Sequence, residues 1–136
     1  MGLHWRGGDV IRGIGLDCAS ISETGRLIRE LGETYTTYAF TEAEIDTARS
    51  VERPDVHFAV RFAVKEAVYK AIAHLTPAKH FDLRIVETLV REDGTPYVSI
   101  SQSLEEQLAS AGVRGLHLTV SHGQDLAFAF VVATDE

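Results

Sequence analysis

Apolar residues recur along this chain in two rhythms. From Ser20 to Leu31 the positions Ile21, Leu27, Ile28 and Leu31 keep helical spacing, and Gly32 stands where a helix ends. Thr41 followed by Glu44 has the spacing of a capping box, which predicts a short helix from there towards Ser50. Pro54 and Asp55 open a long helix that ends near His74, ahead of Pro77. The other rhythm is that of strands. Val10 to Leu16 forms one, with Asp17 at its C-terminal end, and Leu83 to Val90 and Pro96 to Ile100 flank an Asp93-Gly94 turn. A helix opening at Ser103, with Glu106 as its box partner, closes at Gly112; Gly115 to Ser121 and Leu126 to Ala133 then form the last two strands. The order β-α-α-α-β-β-α-β-β predicts a single α+β domain, an antiparallel-rich sheet packed against the long helix. Residues 1–9 read as a short mobile extension ahead of a domain spanning residues 10–136.

Two stretches depart from simple amphipathic patterning. Leu126 to Ala133 is apolar at every position, so this strand should be covered on both faces, by the rest of the chain as a central strand or by another subunit. Between Phe58 and Ile72 only Arg61, Lys65, Glu66 and Lys70 are charged. At about 100° per residue Arg61 and Lys65 share one face, and Glu66 and Lys70 lie roughly 140° away. A helix with one solvated face would cluster all four. Phe62 and Tyr69 flank the Glu66/Lys70 pair on one side, and Ala59 and Ala63 leave room on the other. The pair reads as part of a site or as an ordinary intrahelical pair.

Composition narrows the function classes. With 136 residues the chain holds one core. A net charge of -7 argues against nucleic acid or an anionic membrane as the main partner. The single cysteine, Cys18, excludes an internal disulfide and a cysteine-built zinc site, and suits a reducing, cytoplasmic setting. No stretch is long enough to span a membrane.

Three places remain for chemistry. Asp17 follows Gly13-Ile14-Gly15, where missing side chains let a ligand or another backbone approach; it serves as a ligand or as a turn or cap carboxylate. The glycines are no dinucleotide fingerprint, because the third falls on Cys18. Ser121 and His122 point to opposite faces of a strand and are not a nucleophile and its base. His122 alone can present an imidazole to an anion, or be structural. Taken together, two carboxylates, a lysine one turn from one of them and a histidine suit Mg²⁺ completed by water and phosphate. The chemistry this implies is phosphoryl or phosphodiester transfer.

These residues resemble the holo-[acyl-carrier-protein] synthase group of 4'-phosphopantetheinyl transferases, in its short, single-copy form. The matching pieces are Gly13-Ile14-Gly15-Leu16-Asp17, Phe40-Thr41-x-x-Glu44, Arg61-Phe62-Ala63-x-Lys65-Glu66-Ala67-x-x-Lys70-Ala71, and Thr119-Val120-Ser121-His122, in the family's order from about residue 10 to 133. The resemblance implies transfer of the phosphopantetheine arm of coenzyme A to a serine of an apo acyl carrier protein of fatty-acid or polyketide-type synthesis, with release of adenosine 3',5'-bisphosphate. It implies Asp17 and Glu66 as magnesium ligands and, with Lys70, as the catalytic group. Arg61, Lys70 and His122 would bind coenzyme A, and a metal-bound water or Glu66 acting through water would be the base. A homotrimer with sites at subunit boundaries is implied as well.

Two features depart from the family pattern. The segment after Lys70, Ala71-Ile72-Ala73-His74-Leu75-Thr76-Pro77, lacks the usual glycine-rich turn, so its amides face a phosphate less freely. The helix after Asp17, basic in the family, carries Glu23 and Glu30 beside Arg26 and Arg29, so any carrier-docking patch must be local: Arg26, Arg29, Arg49 and Arg53. The alternative function is a catalytically weakened module of the same fold that binds coenzyme A or a carrier protein.

Overall fold

The computed structural model describes residues 10–77 and 81–136; the N-terminal extension proposed for residues 1–9 lies outside them. The chain runs through β1 (Ile11–Ser20), α1 (Ile21–Leu31), α2 (Glu33–Ala39), α3 (Glu42–Ala48), α4 (Pro54–Ile72), β2 (Val86–Val90), β3 (Pro96–Ile100), α5 (Gln102–Ser110), β4 (Gly115–Gly123) and β5 (Leu126–Thr134). Short 3₁₀ turns at Ala73–Leu75 and Leu83–Ile85 bracket the link from α4 to β2. The strands make two antiparallel sheets, one ordered β1-β5-β4 and the other the β2-β3 hairpin. The α+β class, the antiparallel sheet and the long helix across it are as the sequence predicts.

Four details differ from the sequence reading, each for a physical reason. Helix α2 follows at once after Gly32, whose left-handed backbone (φ 54) ends α1 and starts a new axis; its Thr- and Tyr-rich sequence carries little helix signal. Helix α5 is capped by Ser101, whose hydroxyl accepts the Leu104 amide at 3.2 Å, so the Ser103/Glu106 box is not the start. Residues 83–85 wind into a 3₁₀ turn before β2 begins. Strand β1 continues to Ser20, placing Asp17 inside the strand rather than at its end. The Thr41/Glu44 capping box is present in full, and Gly94 (φ 89) supplies the left-handed residue of the β2-β3 turn.

Helix α4 lies against the sheet at unusually short range. A Cβ at Gly13 would stand 1.9 Å from the Ala71 carbonyl oxygen, and one at Gly15 1.9 Å from that of Ala67. The backbone admitted by Gly13-Ile14-Gly15 is therefore that of α4. The facing strand is also built from small residues: Ala127, Ala129 and Ala133 of β5 are buried under the helix with Val131. Val64, Val68 and Ile72 continue the core towards Leu104 and Leu108 of α5 and Val86 of β2. A second cluster, Phe40 and Phe58 with ring centroids 4.8 Å apart, sits under α2 and α3.

Strand β5 is central, yet only one of its faces is covered by the described residues. Leu126, Phe128 and Phe130 alternate outward and are exposed, beside Ile14 and Leu16 of β1. The described residues therefore do not supply cover for both faces, one of the two sources the sequence suggests.

Gly15→Ala is expected to cost about 3 kcal/mol or more, because the new methyl meets the rigid backbone of α4 at Ala67 and Ala71. Urea unfolding would check it; a loss below about 1 kcal/mol would mean that α4 can retreat from β1.

Candidate functional site

The close approach of β1 and α4 creates the site. Gly13 faces Ala71 and Gly15 faces Ala67, so each two-residue step up the strand is matched by one turn back along the helix. Asp17 is the next residue on that face, and its alternation with the two glycines aims its carboxylate at α4. The Lys70 ammonium reaches it, donating to Asp17 Oδ1 at 2.7 Å and to the Leu16 carbonyl at 3.2 Å. The intrahelical Glu66/Lys70 pair that the spacing allows is thus replaced by a pair between elements. The Asp17 side chain is largely covered, and that of Lys70 is half exposed.

Glu66 completes the group. Partial burial, and then the negative charge of Asp17, push its carboxyl above the usual range, against the opposing pull of Lys70. The hydrogen bond from Lys70 to Asp17, and the charge behind it, raise the lysine, so it stays an ammonium. Two carboxylates repel each other while a single cation sits on one of them. That is an unfinished electrostatic arrangement, and a divalent cation would relieve it. Among the described residues no group of three or more His, Cys, Asp and Glu side chains could hold a metal, so an ion here would take its remaining ligands from water and substrate. The hard-oxygen donor set fits magnesium used in that way.

The other sequence candidates lie further out. His122 is exposed on β4, paired with Ala127, on the same face of the sheet as Asp17. Ladder spacing sets it about 12 Å from Asp17 within one chain. Ser121 pairs with Phe128 on the opposite face, in keeping with the exclusion of a serine–histidine couple. Arg61 is buried on the α3 side of α4; its guanidinium donates to the His57 carbonyl at 3.4 Å, and its Nε has no partner among the described residues. Arg26, Arg29, Arg49 and Arg53 are all exposed.

The sequence reading missed Lys65. Rather than facing solvent, it is fully buried and paired with the equally buried Glu44 at 2.8 Å, while donating to the carbonyls of Leu83 (3.0 Å) and Val86 (2.5 Å). Glu44 also accepts the Thr41 amide at 3.0 Å and the Thr88 amide at 3.1 Å. Burial pulls the Lys65 ammonium down and the Glu44 carboxylate resists it. One ion pair therefore ties α3, α4 and β2 together and fixes the rotation of α4, which turns Glu66 and Lys70 towards β1. The signal was there: the capping-box glutamate has a second oxygen to satisfy, and a lysine with Phe58, Phe62, Val68 and Ile72 around it lies on a face too apolar for water.

Known proteins share this fold. The model of the 4'-phosphopantetheinyl transferase superfamily matches residues 13–131. The chain belongs to that superfamily, in its holo-[acyl-carrier-protein] synthase group. A holo-[acyl-carrier-protein] synthase of Thermodesulfovibrio yellowstonii is 34% identical over 92% of this chain and 100% of the relative. The Neisseria meningitidis holo-[acyl-carrier-protein] synthase structure superposes with a TM-score of 0.81 at 28% identity, covering 90% of this chain and 98% of the other. The Bacillus anthracis holo-(acyl-carrier-protein) synthase, solved in complex with CoA (3',5'-ADP), gives 0.74 at 25% identity, covering 94% and 100%.

Lys65→Met should cost about 3–5 kcal/mol, since it leaves the Glu44 carboxylate buried without its cation. Denaturant titration reads this directly; a loss under about 1 kcal/mol would show that the pair does not hold α4.

Proposed function

We propose that this chain transfers the 4'-phosphopantetheine arm of coenzyme A to a serine hydroxyl of an apo acyl carrier protein and releases adenosine 3',5'-bisphosphate. The observation that supports it most is the convergence of Asp17, Glu66 and Lys70 where β1 crosses α4. Asp17 and Glu66 would hold Mg²⁺, which when bound neutralises the pyrophosphate and draws charge from the reacting phosphorus. Lys70, half exposed beside Asp17, adds a point charge for the phosphate oxygens. In the transfer the serine oxygen bonds to phosphorus as the bond to the departing nucleotide phosphate breaks. Glu66, whose proton affinity is raised, takes the serine proton through water. His122, with its exposed imidazole, is a further donor group for coenzyme A, whereas Arg61, buried on the α3 side of α4, would support the site rather than touch the coenzyme. No helix of the described residues is long and apolar enough to cross a membrane, and a cytoplasmic carrier of fatty-acid or polyketide-type synthesis is the partner we assign.

The assembly belongs to the same proposal. The outward face of the β1-β5-β4 sheet presents Ile14, Leu16, Phe128 and Phe130 to solvent, and a homotrimer closing on this face would cover them. In this proposal the trimer also has its sites at subunit boundaries. It also offers a route by which His122 of one chain serves a carboxylate pair it does not reach in its own.

Incubation with apo carrier protein, coenzyme A and Mg²⁺ should add the mass of the arm to the carrier. Glu66→Gln should abolish the gain, with a loss of about 100-fold or more in kcat and little change in stability. Bound coenzyme A without any mass gain over several carriers would instead support the binding module. In light scattering the protein should run at three times its chain mass, and Phe130→Glu should reduce it to the monomer; an unmodified protein that is monomeric throughout would refute the trimer.

A further inference from the structure

The two sheets do not join. Strands β3 and β4 run close to each other with no ladder between them, since the hydrogen-bonded orders are β1-β5-β4 and β2-β3. A cavity of about 760 Å³ opens where these two strands meet the C-terminal half of α5. Part of its lining is apolar: Leu108 and Val113 belong to the core, and Val98 and Leu116 pack against it. Leu116 pairs with Ala133 and so lies on the α4 side of the sheet, opposite the outward Phe128 and Phe130. Ladder spacing sets it about 16 Å from Asp17 within one chain, so the cavity is separate from the carboxylate site.

The polar part of the lining carries guanidinium groups that no carboxylate among the described residues bridges. Arg26, Arg49, Arg53 and Arg84 each pair with an acid close by in sequence. Arg91 and Arg114 line the cavity, are exposed, and are in no ion pair among the described residues. Arg91 lies instead over the Tyr97 ring, 4.5 Å from its centroid, a contact that steadies the guanidinium and leaves its charge in place. Arg12 brings a third guanidinium to the edge, where a Cβ on Gly112 would stand 3.3 Å from it. The carbonyl end of α5 already explains a cation at Arg12, but it explains neither Arg91 nor Arg114. Glu105 is the one acid in the lining, and it bridges none of them among the described residues. In a chain of net charge -7, this is a local surplus of positive charge beside apolar surface.

We infer that this cavity binds an anionic amphiphile, an acyl or alkyl chain ending in a carboxylate or a phosphate, with its head on Arg91 and Arg114 and its chain along Val98, Leu108, Val113 and Leu116. Arginine suits either head, because its planar fork gives two parallel hydrogen bonds to an oxyanion. An inorganic anion would leave the apolar lining unused, and a planar base would have to displace Arg91 from Tyr97. The volume is within the range of small-molecule sites. A molecule held there would touch β3, α5 and β4 together and brace the two sheets against each other. Binding needs neither Asp17 nor the transfer proposed above.

Isothermal titration of the full chain with octyl phosphate and with octanoate tests the site, and the head that binds more tightly tells a phosphate ester from a carboxylate. One molecule should bind per chain, while octanol and inorganic phosphate should each bind at least about tenfold more weakly. Arg91→Gln/Arg114→Gln should weaken octyl phosphate about tenfold or more, and Glu105→Gln, which removes the opposing charge, should tighten it about threefold. In amide NMR spectra the Gly112 and Val113 signals should shift with added octyl phosphate and those of Asp17 and Glu66 should stay. Failure of both amphiphiles to saturate, inorganic phosphate binding as tightly as octyl phosphate, or shifts centred on Asp17 would overturn the inference. So would an affinity that the double arginine variant leaves unchanged while it keeps the unfolding midpoint of the unmodified protein. If that variant does not fold, Glu105→Gln decides, and an affinity that it leaves unchanged or weakens would count against the site.

Discussion

Everything at the site follows from how closely one strand and one helix can approach. Gly13 and Gly15 let the α4 backbone settle directly on β1, and that contact sets the register of strand against helix. The next residue in the strand's alternation is Asp17, and the helix side chain that reaches it is Lys70. From the 1.9 Å at which a methyl on either glycine would stand, the helix would have to retreat by roughly 1.5 Å to reach ordinary contact distance. The carboxylate pair would then separate before either carboxylate was altered.

Contact alone leaves α4 free to turn about its axis. The buried Glu44–Lys65 pair removes that freedom, because Lys65 is held by a carboxylate from α3 and by two carbonyls at the start of the hairpin. A buried ion pair is weak evidence for stability, since desolvation offsets most of its attraction. Its value here is directional. With Lys65 fixed on one side, Glu66 and Lys70 have to emerge on the other, and two charged pairs on opposite faces of one apolar helix become an anchor and a site.

How much of this was legible depended on which partner decided each residue. Residues governed by their neighbours in sequence were readable: the Thr41/Glu44 cap, the Asp93-Gly94 turn, the long helix and the strand alternation are local chemistry. The Asp17, Glu66 and Lys70 grouping was visible as residue types and family spacing. The partner of Lys70 was not, because Glu66 one turn away and Asp17 across the fold are equivalent on a helical wheel. The burial of Lys65 was not legible for a related reason: its fate is set by Glu44, 21 residues earlier, and by two carbonyls not yet in view. Helix α2 escaped because its stability comes from Phe40 packing under it rather than from helix-forming residues.

The alternation of β1 and β5 is the reverse of that in a simple two-layer domain. Gly13, Gly15, Ala127 and Ala129 face the helix, while the bulky Ile14, Leu16, Phe128 and Phe130 face outward. Small residues inward are what the close approach of α4 demands. The displaced apolar volume then has to lie on the other face, where water alone would be a poor neighbour. One pattern thus sets the site on one side of the sheet and calls for a second surface on the other. This also accounts for a last strand apolar at every position, although the described residues cover only half of it.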